Sequence, residues 1–256
     1  MIEPILEARD LSFSFEGKKP LLVKLSLAFK EAELVVLAGR NGAGKTVLAK
    51  CLAGIYQAPR ASVLFRGSDL AGLKGSPATK VAYLFQDARL QVLGDSLLED
   101  ALFGPLALGM QRDEAEARAR AALESLGLGG RLRESPLGLS GGELRRLAIA
   151  SVLALDPEVL ILDEPFANLD WQGVASLLGV IGDLRNRGKT LIVLTHELEK
   201  IVGLADRLIV MDRGAPVADG QPAALIGEGL EVHGLRNPLR PAISLGELQW
   251  LDPPPA

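Results

Sequence analysis

One segment of the sequence carries glycines, a lysine and a threonine at a spacing that suits phosphate binding. Residues 39–46 read GRNGAGKT and fill every required position of the pattern G-x-x-x-x-G-K-[ST]. Glycines let main-chain N–H groups approach phosphate oxygens, Lys45 would bind the β- and γ-phosphates, and the Thr46 hydroxyl would ligate Mg²⁺. The residues predicted to contact a nucleotide here are Gly39, Arg40, Asn41, Gly42, Ala43, Gly44, Lys45, Thr46 and Val47. Taken alone, the pattern is also compatible with a structural glycine turn between a strand and a helix.

Two carboxylates directly follow the apolar run 159–162. Asp163 is suited to holding hydrated Mg²⁺, a hard cation that prefers oxygen ligands. Glu164, the next residue, would point elsewhere and could polarise an attacking water as a general base. The alternative is that both acids are solvated residues in a turn before Pro165.

The segment LSGGE at residues 139–143, called here the signature segment, has two interpretations. Ser140 followed three residues later by Glu143 is a capping box, which predicts a helix that continues to about Leu155. A glycine-rich helix N-terminus is also a site for anions. Both interpretations can hold together.

Five compact apolar runs are predicted to be buried strands of a largely parallel sheet. They span residues 34–38, 81–85, 159–162, 190–194 and 208–211. Helical stretches separate them, and such sheets place ligands beyond the carboxyl ends of their strands. Segments 5–15 and 24–29 instead predict a small antiparallel layer, joined through a turn at 16–19.

Size, charge and cysteine content exclude several classes of function. A formal charge of −4 and a pI near 5.4 argue against a basic surface for general nucleic-acid binding by this chain of 256 residues. The single cysteine, Cys51, excludes an intrachain disulfide and suits a reducing compartment. Apolar runs stay well below the roughly 18 residues of a spanning helix. The first residues lack a secretory pattern, so we expect a globular cytosolic protein.

Taken in order, the motifs resemble the nucleotide-binding subunit of ABC transporters, from Leu6 to about Gln221. After the phosphate loop come Gln86 at a strand end, the signature segment, Asp163 and Glu164, then Asn168, Leu169 and Asp170, then Thr195 and His196. The resemblance implies an α/β fold: a P-loop NTPase core with a mostly parallel sheet, a small N-terminal antiparallel β layer and an inserted helical subdomain at about 88–155. The ATPase domain would cover 1–228. Residues 229–256 would form a C-terminal tail, draped on the surface or disordered.

The resemblance also implies that the ligands are ATP and Mg²⁺ and that two ATPase subunits meet head to tail. The second subunit would be a copy of this chain or a related one. Ser140 and Gly142 would contact the γ-phosphate of the nucleotide held across this interface, and Gly141 and Glu143 would belong to the same interface. Asp170 would help to couple the two sites.

Three further residues receive roles from the resemblance. Gln86 would sense Mg²⁺ and the membrane partner, and His196 would hold the γ-phosphate and the attacking water in line. A histidine after a strand also has a purely structural reading, so this role depends on the family. Phe15 matches the aromatic position that stacks on adenine, and ordinary core packing explains it equally well.

Two stretches, 85–91 and 99–105, resemble ATPases of the energy-coupling-factor importers, which take up vitamins, cobalt or nickel. The sequence departs from those proteins at 88–90, where they usually have a proline and acidic residues. The resemblance predicts an ATPase on the inner face of the membrane that energises an importer by binding its integral membrane subunits. Residues 97–105 would help to form the groove for them, although internal packing of an amphipathic helix explains any one of these residues as well.

Two other classes of function compete with this prediction. One is a soluble ABC ATPase that acts in cofactor assembly or another process without transport. The other is a nucleotide-sensing module without turnover, in which a missing base or signature would be expected. Glu164 and the signature segment are intact, which favours an active ATPase.

Overall fold

The computed structural model describes residues 3–59, 62–73, 76–226 and 230–239, and their strands form two sheets. The strands are β1 Leu6–Phe13, β2 Leu22–Phe29, β3 Leu34–Gly39, β4 Val63–Phe65, β5 Ser68–Asp69, β6 Val81–Leu84, β7 Val159–Asp163, β8 Thr190–Leu194, β9 Arg207–Asp212 and β10 Ala215–Gly220. The larger sheet has the order β10-β9-β3-β8-β7-β6, with β10 antiparallel to β9 and the other pairs parallel. The smaller sheet, β2-β1-β4-β5, is antiparallel throughout.

Alternate residues of the central strands enter two hydrophobic cores. Leu34 and Val36 of β3 belong to one core, and Val35 and Leu37 belong to the other. This division follows from the strand geometry, because successive side chains point to opposite faces of a sheet. Every residue of β3, β6, β7 and β8 is buried, so both faces of the sheet are covered and the predicted α/β fold is confirmed.

The helices supply the layers on the sheet faces. They are α1 Lys45–Leu52, α2 Leu97–Ala107, α3 Arg112–Ser125, α4 Gly141–Leu153, α5 Trp171–Asn186 and α6 Pro222–Leu225. Helices α2, α3 and α4 lie between β6 and β7 in the chain and pack on one another through buried residues such as Leu102, Ala119 and Leu147. Within the described ranges, no helix has both the length and the apolar character that a membrane span requires.

Two regions differ from the sequence prediction. The antiparallel layer has four strands, because β4 and β5 join the two that the sequence predicts. At the C-terminal end, the predicted tail begins with two leucines, Leu230 and Leu235, that are buried against the main core. This burial removes their apolar area from water, which stabilises the packed position. The rest of the predicted tail, residues 240–256, lies outside the described residues.

Candidate functional site

The phosphate loop connects the end of β3 to the start of α1. Gly39 has φ 143°, and a Cβ atom there would lie 2.2 Å from the carbonyl oxygen of Met211, so only glycine fits. The loop residues Arg40 and Asn41 are exposed, and Gly44 precedes the helix in the left-handed region with φ 96°. The first N–H groups of α1 therefore face the loop, which is the geometry of an anion site.

The Lys45 side chain folds back along this loop. Its Nζ donates to the carbonyl oxygen of Gly39 at 2.6 Å and to that of Arg40 at 3.1 Å. Burial lowers the pKa of Lys45, and the nearby carboxylates of Glu164 and Asp163 oppose that shift. The ammonium group thus lies within the phosphate loop, close to both strand-end acids.

Asp163 ends β7 and is only 1% exposed. Its Oδ2 accepts hydrogen bonds from the Thr46 hydroxyl at 3.0 Å and from the Tyr83 hydroxyl at 2.5 Å. Burial raises the pKa of Tyr83, and the Asp163 carboxylate raises it further, so the phenol keeps its proton and donates. Asp163 therefore joins the phosphate loop to the sheet, although 117 residues separate it from Thr46 in sequence.

The other oxygen of Asp163 suits a hard cation. Oδ1 is buried and has no hydrogen-bond partner among the described residues, which is costly for a carboxylate oxygen. The described ranges contain no group of three or more His, Cys, Asp or Glu side chains that could hold a metal unaided. A cation at Oδ1 and the Thr46 hydroxyl would therefore need further ligands from a phosphate and water, which is how Mg²⁺ binds in nucleotide sites.

Glu164 and His196 meet directly beyond the ends of β7 and β8. His196 Nδ1 lies 3.0 Å from Glu164 Oε1, and the imidazole is exposed whereas Glu164 is buried. Glu164 has φ 46°, an uncommon value for a residue with a side chain, and its N–H donates to the carbonyl oxygen of Leu194 at 2.9 Å. Glu164 is thus a buried acid, and the exposed ring of His196 lies directly beside it.

Most of the other predicted site residues line one cleft of about 1040 Å³. Its lining includes Thr46, Gln86, Ser140, Gly141, Gly142, Glu143, Asp163 and Asp170. Gln86 is exposed just beyond β6, while Ser140 and Asp170 cap the N-termini of α4 and α5. The structure therefore brings together residues from five separate segments of the sequence.

The capping box of α4 is present in full. The Ser140 N–H donates to Glu143 Oε2 at 2.8 Å, and the Glu143 N–H donates to Ser140 Oγ at 3.3 Å. These hydrogen bonds, together with the ion pair to Arg131, lower the pKa of Glu143 to about 2. Ser140 and Gly141 remain exposed, so the same helix end stays open to a ligand.

Phe15 lies apart from that lining, in a cluster of aromatic rings. It meets Phe13 and Tyr56 edge-on, with ring centroids 5.2 Å and 5.6 Å away. The ring is 37% exposed, so one side is packed and another is open to solvent. Stacking on adenine stays a prediction for this residue.

The sequence analysis missed two residues of the site, Tyr83 and Arg145. Tyr83 lies in a predicted buried strand, and a buried hydroxyl needs a hydrogen-bond partner. That requirement could have singled out Tyr83 from the sequence. Arg145 lies on α4, and no spacing rule connects it with the strand ends that it contacts.

Comparisons with known proteins identify the family of the chain. A family model described as ABC transporter matches residues 22–167. The energy-coupling factor transporter ATP-binding protein EcfA2 of Methanospirillum hungatei is 36% identical over 224 residues, which is 86% of this chain and 56% of that protein. The cobalt import ATP-binding protein CbiO of Rhodobacter capsulatus is 40% identical over 243 residues, which is 92% of this chain and 86% of that protein. The chain thus spans little more than half the length of EcfA2.

A solved structure shows the same fold. It is that of cbiO1 from Clostridium perfringens, part of the ABC transporter complex cbiONQ, with a TM-score of 0.78 and 27% identity over 91% of this chain and 94% of that one. Fold and site define a P-loop ATPase with a signature segment. The chain belongs to the ABC transporter family, and the relatives that it matches are named as ATP-binding proteins.

Proposed function

We propose that this chain uses MgATP to energise an importer of the energy-coupling-factor type, for a metal ion or a vitamin. The observation that carries the MgATP part is the buried Asp163 carboxylate, which shares a hydrogen bond with Thr46 and keeps Oδ1 without a protein partner among the described residues. The importer part is supported by the names of two relatives, an energy-coupling factor transporter protein and a cobalt import protein.

Each site residue has a role in the proposed hydrolysis. The N–H groups of the phosphate loop and Lys45 would hold the phosphates, while Thr46 and Asp163 would hold Mg²⁺, which would supply positive charge beside the phosphate oxygens. Glu164 polarises the attacking water, and its contact with His196 at 3.0 Å lets the histidine orient the water and the γ-phosphate. Gln86, which is exposed beyond β6, would sense both the bound metal and a bound partner.

We infer that the working enzyme is a dimer, of two copies or of this chain with a relative. Ser140 is exposed at the N-terminus of α4, and Asp170 is exposed at that of α5. A helix N-terminus with exposed N–H groups attracts phosphate, so the signature segment of one subunit suits the nucleotide of the other.

The membrane partner fits an apolar groove whose lining includes Gln91. The groove has a volume of about 300 Å³ and is lined by Ile55, Leu93 and Phe103, among others. All three side chains are exposed although they are apolar, which marks an interaction surface. We infer that a short helix of an integral membrane subunit occupies it and holds the chain on the inner face of the membrane.

The substitution Glu164→Gln tests the hydrolytic mechanism. We expect it to retain MgATP binding, to trap a dimer and to lower kcat by about 100-fold or more, because general bases contribute about 10²–10⁴ to rate. Equilibrium titration, size exclusion with ATP and phosphate release measure these effects. Glu124→Gln, an exposed position on α3, is the matched control. Turnover like that of the wild type in Glu164→Gln would remove Glu164 as the base.

A further inference from the structure

Arg145 is a buried cation in the signature helix α4. The residue is only 2% exposed, and its guanidinium donates to main-chain carbonyl oxygens alone. Nε donates to Pro165 at 3.3 Å, Nη1 to Phe85 at 2.5 Å and Gln86 at 2.9 Å, and Nη2 to Asp163 and Glu164, each at 2.6 Å. A guanidinium has five N–H donors, so these bonds engage its full capacity.

The carbonyl groups that Arg145 binds lie where two neighbouring strands end. β6 and β7 are adjacent and parallel, and beyond their last paired residues the main chain leaves the sheet ladder. Carbonyl oxygens there need partners from elsewhere if they are buried. One side chain thus connects the main chain around Gln86 with that around Glu164.

The charge of Arg145 is retained in this position. A guanidinium keeps its charge in folded proteins, and the nearby carboxylates of Asp163 and Glu164 attract it. Its hydrogen bonds to carbonyl groups are charge-assisted, and they are stronger than those between neutral groups.

Glu164 needs such support because its main chain is strained. A φ of 46° lies in the left-handed region, which costs energy for a residue with a Cβ and persists only when the surroundings hold it. Its carbonyl oxygen accepts from Arg145 and from the Ala167 N–H at 3.2 Å, and its own N–H donates to Leu194. This backbone conformation sets the direction in which the Glu164 carboxylate points.

We propose that Arg145 is a positioning residue for ATP hydrolysis. Its guanidinium fixes the main chain at Gln86 and Glu164, so that both side chains face the same bound nucleotide. The inference rests on the proposed role of Glu164 as general base. Because Arg145 lies five residues after Ser140 on the same helix, it also ties the signature segment to the strand ends. In this proposal Arg145 does not bind the phosphates, because the phosphate loop holds them.

Two substitutions separate this role from binding. Arg145→Met removes every donor and keeps an apolar stem, whereas Arg145→Lys keeps the charge but offers three donors to the five carbonyl groups. We expect Arg145→Met to lower kcat by about 10- to 100-fold, as displacement of a catalytic group by about 1 Å does, with Arg145→Lys between it and the wild type. The Kd for a non-hydrolysable MgATP analogue should change by less than about threefold. Arg118→Met, at a half-buried position of α3 where the side chain pairs with Glu114, is the control.

A double substitution shows whether Arg145 acts through Glu164. In a Glu164→Gln background the added Arg145→Met should lower single-turnover hydrolysis by a clearly smaller factor than it does in the wild type, because one of the two groups that it positions is already gone. A general loss of structure would lower the rate by the same factor in both backgrounds. Amide exchange of residues 163–167 should also be faster in Arg145→Met than in the wild type. If Arg145→Met does not fold, the same comparisons are made with Arg145→Lys.

Each result decides between the two proposals. Full turnover by Arg145→Met, or equal losses in both backgrounds, overturns the positioning role while Glu164→Gln still tests the base. Undiminished turnover by Glu164→Gln overturns the base, and the positioning role falls with it. Loss of hydrolysis in both single variants, with a clearly smaller further loss in the double variant, supports both.

Discussion

The two hydroxyl groups at Asp163 decide which of its oxygens is available. Thr46 and Tyr83 both donate to Oδ2, so the carboxylate is oriented with Oδ1 free of protein partners among the described residues. Tyr83 lies within a buried strand and its hydroxyl needs this acceptor. Tyr83 is therefore placed to orient the carboxylate that we propose for Mg²⁺, and residues that orient a metal ligand affect metal affinity.

The substitution Tyr83→Phe tests this orientation. It removes one donor from Asp163 and leaves the ring, which packs edge-on against Phe85 with centroids 5.1 Å apart. We expect the Mg²⁺ concentration that gives half-maximal ATP binding to rise about 10-fold, as it does when a group that orients a metal ligand is removed, while ATP affinity without metal stays the same. Calorimetry with and without Mg²⁺ measures both quantities.

Tyr56→Phe is the matched control, because Tyr56 is the other tyrosine of the chain and packs with Phe13. It should leave the metal dependence unchanged. Equal Mg²⁺ dependence in Tyr83→Phe and the wild type would show that Thr46 alone orients Asp163.

At the scale of single residues, the sequence predicts a role only where a local pattern carries the chemistry. Lys45, Thr46, Asp163 and Glu164 stand in short motifs that can be interpreted without a fold. Tyr83 could not be placed in this way, because its contact depends on strand register. It pairs opposite Ile161, which puts it on the same sheet face as Asp163, two residues further along β7.

At the scale of elements, helix α4 joins structure and chemistry at its first turn. Ser140 and Glu143 cap the helix reciprocally, as the sequence predicts, and α4 starts at Gly141. The cap binds only part of the free N–H groups of a helix end, so the others remain available. The structural and the anion-binding interpretations of this segment are therefore compatible.

The low pKa of Glu143 predicts a dependence of stability on pH. A carboxylate whose pKa falls from 4.5 when unfolded to about 2 when folded stabilises the folded state above pH 4.5, and the contribution is lost as the pH falls towards 2. Glu143→Gln keeps an acceptor at this position but does not titrate. We expect the wild type to exceed this variant in free energy of unfolding near pH 7, by a margin that shrinks near pH 3.

Urea unfolding at the two pH values measures this margin. Glu124→Gln, at an exposed site on α3, serves as the control, with a margin that should not depend on pH in the same way. A margin for Glu143→Gln that is constant with pH would show that the hydrogen bonds from Ser140 do not stabilise the charged form.

Prediction of elements succeeded for the buried strands and failed for short or exposed ones. The five apolar runs all became strands of the central sheet, because a run buried on both faces has a strong signal. β5 has only two residues, and β10 alternates between exposed and half-buried residues at the sheet edge. Their pairing depends on neighbours that are distant in sequence.

On the scale of the whole molecule, the sheet order and the two cores could not be derived from the sequence. β3 lies between β8 and β9, although more than 150 residues separate it from either one. Leu230 and Leu235 likewise pack against the core from a segment without clear periodicity. The division into a domain at 1–228 with a helical subdomain at 88–155 stays a prediction.

The proposed attachment to a membrane partner belongs to the scale of the whole molecule, and a substitution at Phe103 tests it. Phe103 is 55% exposed on α2 and lines the apolar groove with Ile55 and Leu93. A carboxylate at this position would be buried without a partner in a complex, so we expect Phe103→Asp to reduce copurification of the integral membrane subunits by at least about 10-fold. Its ATP affinity should equal that of the wild type, because the groove lies apart from the phosphate loop. Val217→Asp, at an exposed position of β10, should copurify normally, and equal recovery with Phe103→Asp would place the partner elsewhere on the chain.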